Sequence, residues 1–118
     1  MVKGSKPAGS KRMLSIVQFF AWSAAIDSLV LESRQQGFRF LIRLRDDWKS
    51  GANRFSGDGE AYFGVFDGKR LVAVGGINRE TIDRGRLWRL YVRSQERRKG
   101  IGRLLVEHIL VIHVGAKG

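Results

Sequence analysis

From Leu90 to Leu105 the chain reads Leu-Tyr-Val-Arg-Ser-Gln-Glu-Arg-Arg-Lys-Gly-Ile-Gly-Arg-Leu-Leu. These residue types at this spacing suit one task, holding a compact polyanion. Gly100 and Gly102 stand at the mouth of an apolar run with a helical period. The first amides of a helix lack internal partners and point outward, and the aligned peptide dipoles put about half a positive charge at that end. Without a Cβ, the two glycines let a ligand oxygen approach the main chain. Arg97, Arg98, Lys99 and Arg103 add full charges around the same point. Such an assembly fits a pyrophosphate. The spacing is not that of a Walker A loop, and the third glycine of a dinucleotide fingerprint is missing. Taken locally, a plain basic turn before a helix would leave the same pattern.

The charge of the whole chain agrees with a polyanionic partner. Its 118 residues carry 22 Lys+Arg against 11 Asp+Glu, a formal +11. The excess is local. Residues 84–103 hold eight basic side chains against Glu96 alone, and Lys3, Lys6, Lys11 and Arg12 charge the start, while residues 13–83 balance. A phosphorylated cofactor, nucleic acid or a membrane surface would each answer such a block. There is no cysteine, which removes disulfide scaffolds, cysteine zinc sites and thiol nucleophiles. With only His108 and His113 as histidines, no metal site is expected. His108 falls on the apolar stripe of the last helix and reads as a packed residue.

The elements that must position this block can be read from periodicity and turn chemistry. Residues 1–12, with Gly4, Pro7, Gly9 and scattered lysines, read as a disordered basic tail. The basic start followed by Met13–Trp22 has the outline of a secretory signal. Ser15 and Gln18 interrupt it and Asp27 follows at once, so a first strand over 14–20 is the better reading. No apolar stretch is long enough to span a membrane, and a cytoplasmic location is expected. Ser23 can cap a helix that begins near Ala24 and ends at Gly37. A second helix fits 38–49, with Phe38, Leu41, Ile42, Arg45 and Trp48 on one face. Residues 50–59 are a loop. Asp67-Gly68-Lys69 separates two β-rich runs, 60–66 and 70–78, and predicts a hairpin. Gly75-Gly76 inside the second run points to a bulge or a close backbone approach. A turn over 80–85 leads to a third run, 86–93. A helix follows from Gly100, with Ile101, Leu104, Leu105, Ile109 and Ile112 inward and Gly115 as its stop. The order is β-α-α-β-β-β-α. It predicts an α+β sandwich, an antiparallel sheet of about four strands with helices on its faces. The aromatic residues are spread over several elements and read as core.

Arg97-x-x-Gly100-x-Gly102, preceded by Leu90-Tyr91-Val92 and followed by Leu104-Leu105, resembles the acetyl-CoA signature of the GNAT N-acetyltransferase family. The resemblance extends over residues 14–117 and implies that residues 13–118 form a single GNAT-like domain with a partial acyl-CoA N-acyltransferase fold. It also implies the site. Amides from Arg98 through Lys99, Gly100, Ile101 and Gly102 to Arg103 would hold the pyrophosphate, at the loop that Arg97 opens. The main chain of Leu90 and Val92, with Tyr91 between them, would pair with the pantetheine arm. The Val92 amide would polarise the thioester carbonyl, and acetyl-CoA as co-substrate would pass its acetyl group to a primary amine.

Two departures from the family pattern bear on this. In the family a fifth strand, a fourth helix and two more strands follow the third helix, whereas here Gly115-Ala116-Lys117 reads as the turn before that fifth strand and Gly118 is the last residue. The resemblance therefore implies a domain lacking one wall of the cleft and the tyrosine that protonates the leaving thiolate. An edge along the fourth strand and apolar residues at Val106, Leu110 and Val114 would then be open to a second copy of the chain. Many relatives place a glutamate where Arg86 stands, and an arginine cannot serve as that base. Glu80 and Asp83 read as solvated turn residues, so no catalytic residue is assigned. The competing readings are a non-catalytic or relic module of the same fold and a basic nucleic-acid-binding protein. The latter is disfavoured because the block holds only Trp88 and Tyr91 as aromatics and no readout motif.

Overall fold

Ser23 begins the first helix as its type predicts, its Oγ accepting from Ala25 N at 3.2 Å. Gly37, at φ +88, turns the chain out of it. The computed structural model describes residues 12–117, with side chains as far as Val111. The elements are β1 (Leu14–Phe19), α1 (Ala24–Gln35), α2 (Phe40–Ser50), β2 (Ala61–Asp67), β3 (Arg70–Thr81), β4 (Arg84–Val92), a single 3-10 turn over Ser94–Glu96, and α3 (Ile101–Lys117). The order is the one read from the sequence. Four strands form one sheet, β1-β2-β3-β4, with every neighbouring pair antiparallel. Among the described residues, no helix is long and apolar enough to cross a membrane, and the signal-like run 14–19 is a sheet strand.

Alternation along the strands fills two layers of core. On one face α1 and α2 bury Ile26, Leu29, Leu41, Leu44 and Trp48 against Tyr62, Val74 and Tyr91. On the other, α3 lays Ile101, Leu105 and Ile109 over Phe63, Val65 and Ala73. His108 is half-buried, edge-on to Phe63 with ring centroids 5.0 Å apart.

Five expectations change. α2 starts at Phe40 and buries Leu41, Leu44 and Trp48, while Phe38 is 42% exposed. Phe38 lies ahead of the helix, so its apolar character misplaced the inward face. Leu104 is also exposed. α3 runs through Gly115, because one glycine costs a helix only about 1 kcal/mol. The turn between β3 and β4 closes on Ile82 and Asp83 alone, so Glu80 belongs to a strand. Of the tail read over 1–12, residues 1–11 lie outside the described residues. Arg12 is tied into the fold, 2.7 Å from both Asp67 and Glu96.

Candidate functional site

β4 forms one edge of the described sheet. Arg93 N donates to Val72 O at 2.8 Å, so antiparallel alternation turns the main-chain groups of Val92 away from β3. Between the pairs Val74–Tyr91 and Gly76–Trp88, β3 has Gly75 alone where β4 has Arg89 and Leu90. This is a β-bulge on β4. Arg89 stands at φ +55, a left-handed conformation that costs roughly 1–2 kcal/mol for a residue with a Cβ. Tyr62 Oη donates to Arg89 O at 2.9 Å and pins it there. The glycine pair opposite shows both features its position suggested. Gly75 faces the bulge, where a Cβ would overlap Leu90 Cδ1, and a Cβ on Gly76 would lie 2.6 Å from Ala61 O.

Beyond the bulge nearly every charge is tied to the frame. Arg93 donates to Leu71 O through Nε at 3.1 Å and Nη2 at 2.8 Å, and its Nη1 meets Glu32 Oε1 at 3.4 Å. Glu32 also accepts from Tyr91 Oη at 2.6 Å and Ser94 N at 2.9 Å. Burial pushes the Glu32 carboxyl up, but these hydrogen bonds with the charges of Arg93 and Arg97 outweigh it and hold the group below the usual range. Burial, then the Glu32 hydrogen bond, push the Tyr91 phenol well up. Arg97 donates from Nε to Val92 O at 2.9 Å and from Nη2 to Gln36 Oε1 at 3.0 Å, and its guanidinium lies 5.2 Å from the Tyr91 ring centroid. Glu96, only 6% exposed, gathers Arg12 at 2.7 Å, Arg70 at 3.0 Å and Lys99 at 3.6 Å. Burial raises its carboxyl too, and the hydrogen bond and charge of Arg12, with Lys99 and Arg70, bring it below the usual range.

What remains for a ligand is mostly main chain. Among the described residues, no main-chain acceptor is recorded for the amides of Arg98, Lys99, Gly100, Ile101, Gly102 or Arg103, and Leu104 N is the first to find one, Gly100 O at 3.0 Å. Arg98 and Gly100 both take left-handed conformations, φ +66 and +81, which fold consecutive N–H groups into a concave nest. Nothing lies within 4 Å of where a Gly100 Cβ would be, so that side of the loop accepts a close approach. Gly102 serves packing instead, since a Cβ there would meet Val92 Cγ2 at 3.3 Å. Arg103 bonds Glu107 Oε2 at 3.1 Å on the exposed flank of α3.

The model of the acetyltransferase (GNAT) family matches residues 18–116. The chain belongs to the GNAT family. A protein from Exiguobacterium sp. 255-15, assigned as an acetyltransferase, has a similar solved structure, with a TM-score of 0.75 at 25% identity over 87% of this chain and 70% of that one. A GNAT-family acetyltransferase from Staphylococcus aureus Mu50 matches at 0.65, with 12% identity over 86% of this chain and 67% of its own. An acetyltransferase from Streptococcus agalactiae 2603 matches at 0.69, with 12% identity over 89% and 68%. These last two likenesses bear on the fold alone. No curated protein matches the chain.

In this GNAT chain the fold brings together the residues read from the sequence and divides their labour. Leu90 and Val92 pack toward α3 and Tyr91 toward α1, while the main chain of Val92 faces the edge. Arg97 acts as a strut. Arg98, Lys99 and Gly100 form the nest, and the amides of Ile101, Gly102 and Arg103 continue it as the first turn of α3. Sequence reading missed Glu32, Gln36, Arg12 and Arg70, which anchor the loop from 25 to 84 residues away. No local signal marks such partners. A cavity of about 470 Å³ between α1 and α2, lined by Arg34, Phe38, Arg39 and Arg45, shares no residue with β4 or its loop. Among the described residues, no three His, Asp or Glu side chains gather as metal ligands would.

Proposed function

We propose that the chain uses acetyl-CoA as acyl donor and transfers the acetyl group to a primary amine. The observation that carries this is the row of unpartnered amides from Arg98 to Arg103, bent around Gly100 at the start of α3. Donors fixed by the fold need no reorganisation when an anion arrives, so they suit a pyrophosphate whose partner groups must already be in place. The outward main chain of Leu90 and Val92 pairs with the pantetheine arm, and Val92 N–H polarises the thioester carbonyl. Arg97 Nε already donates to Val92 O at 2.9 Å, so the arm reaches that carbonyl oxygen only when Arg97 gives way. In the transfer the amine nitrogen bonds to the carbonyl carbon and the carbon–sulfur bond breaks with its electron pair on sulfur. Of the two protons leaving an ammonium acceptor, one ends on the thiolate and one in solvent.

Nucleic acid is a poorer fit for the same charges, because Arg93, Arg97, Arg70 and Arg12 are each engaged by a carboxylate or main-chain oxygen. Isothermal titration with CoA and with desulfo-CoA tests the reading, with one site expected for each. Absence of heat with both, alongside salt-dependent binding of duplex DNA, would overturn it. The β4 edge and the exposed Leu110 and Val111 of α3 also offer a second copy of the chain a pairing surface. Sedimentation at high micromolar concentration should then show a dimer, and a monomer there removes that part of the reading.

A further inference from the structure

On the other side of the bulge, the α2 face of the β3–β4 hairpin carries a small cavity of about 190 Å³, lined by Asn78, Arg79, Glu80, Arg86 and Trp88. Two irregularities frame it. Arg89 lies in the β4 bulge, and between the pairs Arg79–Gly85 and Thr81–Arg84 the strand β3 has one extra residue, Glu80. Bulges re-aim side chains, and these two bring opposite charges to one aromatic floor. The Arg86 guanidinium lies 4.3 Å from the Trp88 ring centroid and that of Arg89 4.6 Å. Arg86 Nη1 is 3.9 Å from Glu80 Oε2, too far for a hydrogen bond. Seated over the indole, the Arg86 guanidinium keeps its N–H groups available to a two-oxygen partner. Asn78 holds the wall, both its amide atoms taken by Asn53 at 2.8 and 3.1 Å. The Arg79 amide donates to Glu60 Oε2 at 2.8 Å, and its guanidinium makes a long contact, 3.4 Å, to Ile82 O.

We infer that this cavity takes the acceptor, and that the acceptor is a small amine which also carries a carboxylate. The inference rests on the proposed transfer reaction and specifies its second substrate. Glu80 receives the ammonium, while Arg86 and Arg79 receive the carboxylate. Trp88 stands two residues from Leu90 along β4, roughly 7 Å at strand spacing, so an amine held there is within reach of a thioester lying against the bulge. The surplus of guanidinium groups repels polyamines and lysine-rich segments, which bring only positive charge. The volume suits a molecule the size of a single amino acid.

The test uses the full chain, saturated with CoA, and the indole N–H resonances of its three tryptophans, that of Trp88 assigned with Trp88→Phe. L-α-amino acids, their methyl esters and spermidine are titrated in turn. The expected result is a saturable shift of the Trp88 resonance with free acids, weakened about tenfold in Arg86→Ala and in Glu80→Gln and unchanged in Lys69→Ala. An equal response to esters or spermidine, no response to any compound, or full affinity in Arg86→Ala would overturn the inference. Calorimetry with CoA alone is read separately, so failure of the donor site is distinguishable from failure of the acceptor site.

Discussion

The two sides of the β4 bulge are comparably rich in arginine and hold those arginines differently. Toward the C-terminal side, Arg93 reaches Leu71 O, Ser28 and Glu32, and Arg97 reaches Val92 O and Gln36. Toward the N-terminal side, Arg86 rests on Trp88 with the Glu80 carboxylate 3.9 Å away. A count of charges treats these residues alike. The structure shows that the first pair builds a frame for main-chain donors, whereas Arg86 keeps donors of its own. Binding on the C-terminal side should accordingly depend on backbone, and on the N-terminal side on side chains.

The largest effect expected from this contrast is at Gly100. Gly100→Asp puts a carboxylate against the bound phosphates and forces a left-handed φ of +81 on a residue with a Cβ. CoA affinity measured by calorimetry should fall more than about 100-fold, near 3 kcal/mol. Arg98→Ala should weaken it less than about tenfold, since that side chain adds one exposed charge to a site made of amides. Equal losses in the two variants would break the comparison.

Next in size is the frame. Glu96→Ala leaves Arg12, Arg70 and Lys99 facing one another without their shared carboxylate. Removing one partner from a mostly buried cluster whose cations can still turn to water should cost about 2 kcal/mol, read from urea denaturation. Acid should reproduce part of that loss without mutation. The carboxyls of Glu96 and Glu32 both titrate below their ordinary value in the fold. Their contribution is therefore fully present above the unfolded-state pKa of about 4.3 and disappears as pH falls through the folded value. Melting temperature should hold steady from neutral pH to about 5 and drop below about 4, and the drop should be shallower in Glu96→Gln.

The sequence made the element order legible, together with the hairpin at Gly68 and the glycine-marked loop, because each is dictated by neighbours in the chain. The spacing of Ile101, Leu105 and Ile109 marks the inward face of α3 for the same reason. The anchors of the loop were not legible. Glu32 lies 62 residues from the Ser94 amide it accepts from, and Arg12 lies 84 from Glu96. Such pairs exist only once the sheet has assembled. The phase of α2 failed because Phe38, aromatic and next to the helix, looks inward by type and is left outside by geometry. Glu80 read as a turn residue because a bulge cannot be told from a turn in a polar stretch.

The smallest expected change separates the two sides of the bulge most cleanly. Arg93 is 13% exposed at its side chain and accounts for two donors to Leu71 O as well as the ion pair with Glu32. Truncation to alanine strands that carbonyl and part of Glu32, and should cost about 2 kcal/mol. The Arg86 side chain is 58% exposed and makes no hydrogen bond among the described residues. Its contribution to folding is the stacking on Trp88, which at an exposed site is worth about 0.5 kcal/mol. Denaturation of Arg86→Ala should accordingly stay within about 0.5 kcal/mol of the parent chain. A loss near that of Arg93→Ala would mean that Arg86 belongs to the frame after all, and that the N-terminal side of β4 holds its guanidinium groups for folding rather than for a ligand.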